Sequence, residues 1–104
     1  MVVNLDATLA ALADPTRRQV VDLLRDGPRR AGDLARRTAM SAPAMSRHLR
    51  ILRSKGLVEV EAVDADARVR VYRLRKEPFA KLDEWLPRFW DEQLASFKAH
   101  AERP

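Results

Sequence analysis

The stretch "SAPAMSRHLRILRSKGLVEV", residues 41–60, changes its rhythm at Gly56. Up to Lys55 the apolar residues Met45, Leu49 and Leu52 return at intervals of three and four, the spacing of one face of an α-helix. Ser41 suits the N-cap, and Pro43 falls in the first turn, where its missing N–H costs little. Gly56 fits the left-handed position that stops a helix, and beyond it the apolar period becomes two. Four basic side chains (Arg47, Arg50, Arg53 and Lys55) lie along this helix with no acidic residue among them. The stretch predicts a cationic helix running directly into a hairpin.

Upstream, a first helix is expected from about Asn4 to Leu12, with Leu5, Leu9 and Leu12 on one stripe. A second opens at "ADPTRRQVVDLLRDG", with Asp14 as N-cap, Pro15 in first position, and Gly27-Pro28 as the stop. Its apolar positions are Val20, Leu23 and Leu24. "RAGDLARRT" is a short third helix anchored by Leu34 and Ala35, and "TAMS" is the turn into the fourth. A short helix, a turn of about four residues and a capped basic helix make a helix-turn-helix pattern.

Downstream, "LVEVEA" and "RVRVYRL" read as antiparallel strands joined by the polar loop "VDADA". Arg68 and Arg70 share one face of the second strand and Val69 and Val71 the other. Tyr72 and Leu74 break that alternation, so a bulge, or burial on both faces near the strand end, is expected. A last helical region spans about 78–101, with Phe79, Leu82, Leu86, Phe89, Trp90, Leu94 and Phe97 at intervals of three to five. Pro87 lies inside it and is expected to kink the helix rather than to start a new one.

The 104 residues support one domain, 1–104, mainly α with a small β-hairpin. No run of eighteen apolar residues is present, the N-terminus lacks the pattern of a signal peptide, and there is no cysteine; a cytoplasmic protein is expected. Net charge is +5, but residues 27–55 alone carry eight basic side chains against Asp33, a local +7. Such a window is suited to a polyanion. Arginine outnumbers lysine sixteen to four, which favours forked contacts to phosphate and guanine.

A helix fits the DNA major groove, and residues at its N-terminal end reach base edges. Small side chains there (Ser41, Ala42, Ala44, Ser46) allow close approach of the backbone, while Arg47 and Arg50 point outward between the core positions. Arg68 and Arg70 make the hairpin a basic wing. Arg29 and Arg30 are candidates for phosphate contacts, whereas Arg18 is expected to pair with Asp22 four residues on. The aromatic C-terminal stripe is long for so small a domain, which favours a two-fold interface over packing on its own core. A pocket for an organic effector beside Trp85 and Trp90 is the other use of those rings.

From "LADPTRRQVVDLL" through "GDLARRTAMSAPAMSRHLRILRSKGLVEVEAVDADARVRVYRL", the chain resembles the ArsR/SmtB family of bacterial winged-helix repressors. The most specific element is Ser46-Arg47-His48-Leu49 through Leu52 to Gly56-Leu57-Val58. The resemblance implies a winged helix-turn-helix homodimer that represses transcription from a palindromic operator in double-stranded DNA. It places Ser41, Ala42, Ala44, Ser46, Arg47 and Arg50 at the major groove and Arg68 and Arg70 on the wing. His48, in the same helix, is expected to pack or to touch a phosphate. The first and last helices would form the dimer interface through Leu5, Leu9, Leu82, Trp85, Leu86, Phe89, Trp90 and Phe97.

Many members sense metals through cysteines or through Asp/His pairs on the last helix. Here there is no cysteine, and His48 and His100 are the only histidines, so neither a metal nor another cofactor is expected. An enzyme is disfavoured by the absence of a cysteine nucleophile, of a Gly-rich phosphate loop and of a close His/carboxylate pair. The rival from another class is a protein-interaction module whose basic face holds an acidic partner.

Overall fold

The computed structural model describes residues 4–63, 68–89 and 95–101. Along them run α1 (Leu5–Leu12), α2 (Pro15–Arg25), α3 (Ala31–Arg37), α4 (Ala42–Ser54), β1 (Val58–Ala62), β2 (Arg70–Leu74), α5 (Lys76–Phe89) and α6 (Ala95–Ala101).

Capping chemistry sets the helix starts. Asn4 Oδ1 accepts from the amides of Asp6 at 2.9 Å and Ala7 at 3.3 Å. Asp14 Oδ1 accepts from the amide of Arg17 at 3.0 Å, and Ser41 Oγ from that of Ala44 at 3.2 Å. Each such cap is worth about 1 kcal/mol. The end of α4 is a Schellman motif: Leu57 donates to the Leu52 carbonyl at 2.9 Å and Gly56 to that of Arg53 at 3.0 Å, with Gly56 at φ +83°. Leu57, expected at the start of the strand, closes this motif with its side chain in the core. The same device ends α3, where Met40 donates to the Ala35 carbonyl at 2.9 Å. There the left-handed residue is Ala39, at φ 55°.

Between α1 and α2 the arginines of "DPTRR" act as a C-terminal cap. Arg17 Nε donates to the Ala11 carbonyl at 2.7 Å, and Arg18 Nη1 to that of Leu12 at 2.7 Å. The expected Arg18–Asp22 pair is replaced by a contact to an orphan carbonyl at the end of α1, which otherwise lacks a donor and carries the negative pole of the helix dipole.

The core is built from Val20 and Leu24 of α2, Leu34 and Ala35 of α3, Met45, Leu49 and Leu52 of α4, and Leu57 and Val58. From α1 the buried residues are Thr8 and Ala11, not the leucine stripe. Thr8 is accommodated because its hydroxyl donates to the Asn4 carbonyl at 3.1 Å. Leu5 and Leu12 are half-buried and Leu9 is exposed.

β1 and β2 pair antiparallel in unbroken register from Val58↔Leu74 to Ala62↔Arg70. The expected bulge is absent. Arg70, Tyr72 and Leu74 share the face of Val58, Val60 and Ala62, which turns toward the core at its base and leaves it toward the tip. Arginine thus follows aromatic and aliphatic residues on a single face because that face runs from core to solvent. Arg29 adds a third edge: its amide donates to the Tyr72 carbonyl at 3.0 Å, and the Tyr72 amide donates back at 2.8 Å.

The last helical region starts at Lys76, two residues before the expected Pro78, and Pro78 is buried in its first turn. Pro87 lies inside α5, which continues to Phe89, so a new helix does not open at Pro87. α5 packs against α1. Beyond Pro78 and Phe79, its residues take no part in the core cluster. The Cα radius of gyration is 17.4 Å. A compact domain of this length has roughly 13 Å, so the molecule is elongated.

Candidate nucleic-acid interface

α4 buries Met45, Leu49 and Leu52, and its other residues except the half-buried Ala44 and His48 are exposed. Ser41, Ala42, Ser46, Arg47 and Arg50 are exposed, and Ala44 is half-buried. Ser41 caps the helix through its Oγ lone pair, which leaves the hydroxyl proton available to a phosphate. The amino end of the helix carries the positive pole of its dipole, with only small side chains around it.

What separates α4 from the other basic elements is compensation. Among the described residues, the guanidinium groups of Arg47, Arg50 and Arg53 make no hydrogen bond or ion pair. On α3, by contrast, Asp33 holds Arg29 at 2.9 Å, Arg36 at 2.9 Å and Arg37 at 3.1 Å. Those donors, Arg29 first, bring the Asp33 carboxyl down to about 2. On the outer face of the hairpin Arg73 donates to Glu59 at 2.9 Å and lies 3.4 Å from Glu61, contacts that raise its pKa. Of α3, the outer face of the hairpin and α4, it is α4 that leaves its arginines to a polyanion.

Arg29 does not face solvent as a phosphate ligand would. Its Nε donates to the Leu23 carbonyl at 3.1 Å and its Nη1 to Asp33, so it braces the body beneath α3. Arg30 is exposed. Arg68 and Arg70 are exposed on the wing; residues 64–67 of its loop lie outside the described residues.

His48 differs from its neighbours on α4. Its Nδ1 is buried without a hydrogen-bond partner, 3.9 Å from Asp14 Oδ1. Asp14 is itself held below the ordinary carboxylate range, chiefly by the Arg17 amide and further by the charges of Arg17 and His48. This edge of the imidazole faces α2, so any contact of His48 with DNA falls to the rest of the ring. Ile51, not singled out from the sequence, is exposed on α4 beside Arg47 and Arg50. Its place off the core stripe was readable from the helical period, and an apolar side chain there suits a thymine methyl.

Away from α4, large apolar side chains are exposed on α1, α5 and α6. Leu9 and Trp85 are exposed, and Phe89 and Phe97 more so, at 57% and 71%. Trp85 and Phe89 lie with ring centroids 6.2 Å apart, while Leu5, Leu82 and Leu86 are half-buried. Trp90 and Leu94 lie outside the described residues. Among the described residues no three His, Cys, Asp or Glu side chains are grouped to hold a metal ion, and no helix is long and apolar enough to cross a membrane.

A helix-turn-helix whose second helix carries uncompensated guanidinium groups, followed by a short hairpin with exposed arginines, defines a winged-helix DNA-binding protein. Known proteins agree. The family described as "Bacterial regulatory protein, arsR family" matches residues 14–60. The HTH-type transcriptional regulator Rv2034 of Mycobacterium tuberculosis is 41% identical over 93 residues, covering 88% of this chain and 83% of that protein. An ArsR-like transcriptional regulator from Rhodococcus superposes with a TM-score of 0.72 at 34% identity, covering 94% of this chain and 90% of that one. A homodimeric winged helix-turn-helix DNA-binding domain from Mycobacterium bovis does so with a TM-score of 0.64 at 32% identity, covering 86% and 80%. The chain belongs to the ArsR family and is a DNA-binding transcriptional regulator.

Proposed function

We propose that the protein works as a homodimer in the cytoplasm and represses its own or a neighbouring operon by occupying a palindromic operator. One observation carries this reading: the cations of α4 lack internal partners, whereas those of α3 and of the outer wing have them. Ser41, Ala42, Ala44, Ser46, Arg47 and Arg50 enter the major groove, His48 lies at its edge, and Arg68 and Arg70 reach the flanking backbone or minor groove. The second copy supports this arrangement by covering the apolar residues of α1, α5 and α6, since a monomer rarely leaves so many large apolar side chains in water. Two copies of α4 then read half-sites about 34 Å apart, one turn of the duplex.

A gel shift with the DNA upstream of its own gene, in excess competitor, tests the reading. Binding with sequence preference is expected, and inserting five base pairs between half-sites should abolish it by placing them on opposite faces of the duplex. Binding indifferent to sequence and spacing would favour an acidic protein as the partner of the basic face.

A further inference from the structure

We propose that a groove between α2, the end of β2 and the start of α5 binds an amphipathic monocarboxylate, a straight-chain acid of about ten carbons, as an effector of the regulator inferred above. The groove encloses about 430 Å³, within the range of small-molecule sites. Its floor is apolar and comes from three elements: Val21 of α2, Leu74 of β2 and Phe79 of α5. Its rim carries Arg25, Arg75 and Lys76 against the single carboxylate of Asp22. Arg75 is engaged with Glu77 at 3.7 Å, but the side chains of Arg25 and Lys76 have no ion pair or hydrogen bond among the described residues. Lys76 also opens the fourteen-residue α5, whose amino end adds positive potential at the same place.

Greasy floor and cationic rim together select the ligand. A bare phosphate would leave Val21, Leu74 and Phe79 wet, and a neutral hydrocarbon would leave the rim unanswered. None of the lining comes from α3 or α4, so ligand and operator do not compete for residues. Nor does it come from α1 or from α5 beyond Phe79, where the exposed aromatic surface lies.

The test uses the full chain without DNA, so the failure of operator recognition and the failure of this site are separately visible. The ¹⁵N-labelled protein is titrated with sodium decanoate below its micellar concentration, and with octanoate and decanol. Saturable shifts are expected at Val21, Arg25, Leu74, Lys76 and Phe79. Octanoate, two methylenes shorter, should bind about fifteenfold more weakly, since each buried methylene contributes about fourfold. The double variant Arg25→Glu/Lys76→Glu, at two exposed positions and checked for an unchanged fold by its remaining amide resonances, should weaken decanoate at least tenfold while changing decanol less than twofold. No saturable shift at millimolar decanoate, shifts centred on Trp85 and Phe89, or equal binding by the double variant would each overturn the assignment.

Discussion

Replacing Arg47 with Ala removes an exposed side chain that makes no hydrogen bond or ion pair among the described residues, so its effect on DNA binding is little diluted by folding. The outcome depends on what the guanidinium meets. A forked contact to guanine is worth about 1–3 kcal/mol, and a homodimer makes it twice, so operator affinity should fall by about thirtyfold to more than 10⁴-fold while scrambled DNA changes little. A phosphate contact instead lowers the slope of log affinity against log salt by about 0.9 per copy, or about 1.8 per dimer. Between about 50 and 200 mM salt this shrinks the loss of affinity roughly twelvefold, equally on both sequences. Fluorescence anisotropy on operator and scrambled duplexes at those two salt concentrations separates the cases. Arg36→Ala is the control, because Asp33 already holds Arg36 at 2.9 Å and the local charge changes from a paired state. If Arg47→Ala binds like the parent on both duplexes at both salts, or if Arg36→Ala weakens operator binding as much, charge compensation is the wrong guide to the interface.

Truncating Leu52, fully buried beneath α4, to Ala should cost about 2–5 kcal/mol in urea unfolding and blur the position of the helix it anchors. Ala39→Gly should stabilise the fold by about 0.5–1 kcal/mol, because the left-handed backbone at φ 55° strains alanine more than glycine's unfolded-state entropy costs; a loss of stability would refute the strain. The Asp33 carboxyl, lowered to about 2, contributes stability that is complete above the ordinary carboxylate range and lost as pH falls through about 2. Melting temperatures of the parent and Asp33→Asn should therefore keep a constant offset from pH 5 to 8 and converge only in stronger acid. Phe89→Asp should shift sedimentation from dimer toward monomer and weaken operator binding with it, whereas an unchanged sedimentation coefficient would put the interface elsewhere.

The parts of this architecture written in short-range code were legible without coordinates. Asn4, Asp14 and Ser41 announce helix starts, Gly56 announces an end, and the spacing of Met45, Leu49 and Leu52 marks the inward face of α4. Most of what escaped depends on contacts outside the helical and strand periods. Arg18 had a carboxylate at helical spacing, but the carbonyl end of α1 was nearer in space. Arg29 looked like surface charge because neither the Leu23 carbonyl nor Tyr72 is close to it in helical or strand period. The apparent irregularity of "RVRVYRL" dissolved once its inner face was seen to leave the core along its length. Thr8 was passed over because a polar residue on an apolar stripe is buried only when a local acceptor is provided, here the Asn4 carbonyl.

The paired hydrogen bonds between Arg29 and Tyr72 also govern how the hairpin can move. They clamp its root to the segment that launches α3, and the Arg75 amide adds a tie to the Leu57 carbonyl at 2.9 Å. Tilting the whole wing would break this clamp, because both ties hold the base of the hairpin rather than its far end. The molecule is thus a bracket braced at the base of its wing: substitutions at the exposed Arg68 and Arg70, far from that brace, can retune the charge the wing presents without disturbing the angle between hairpin and body.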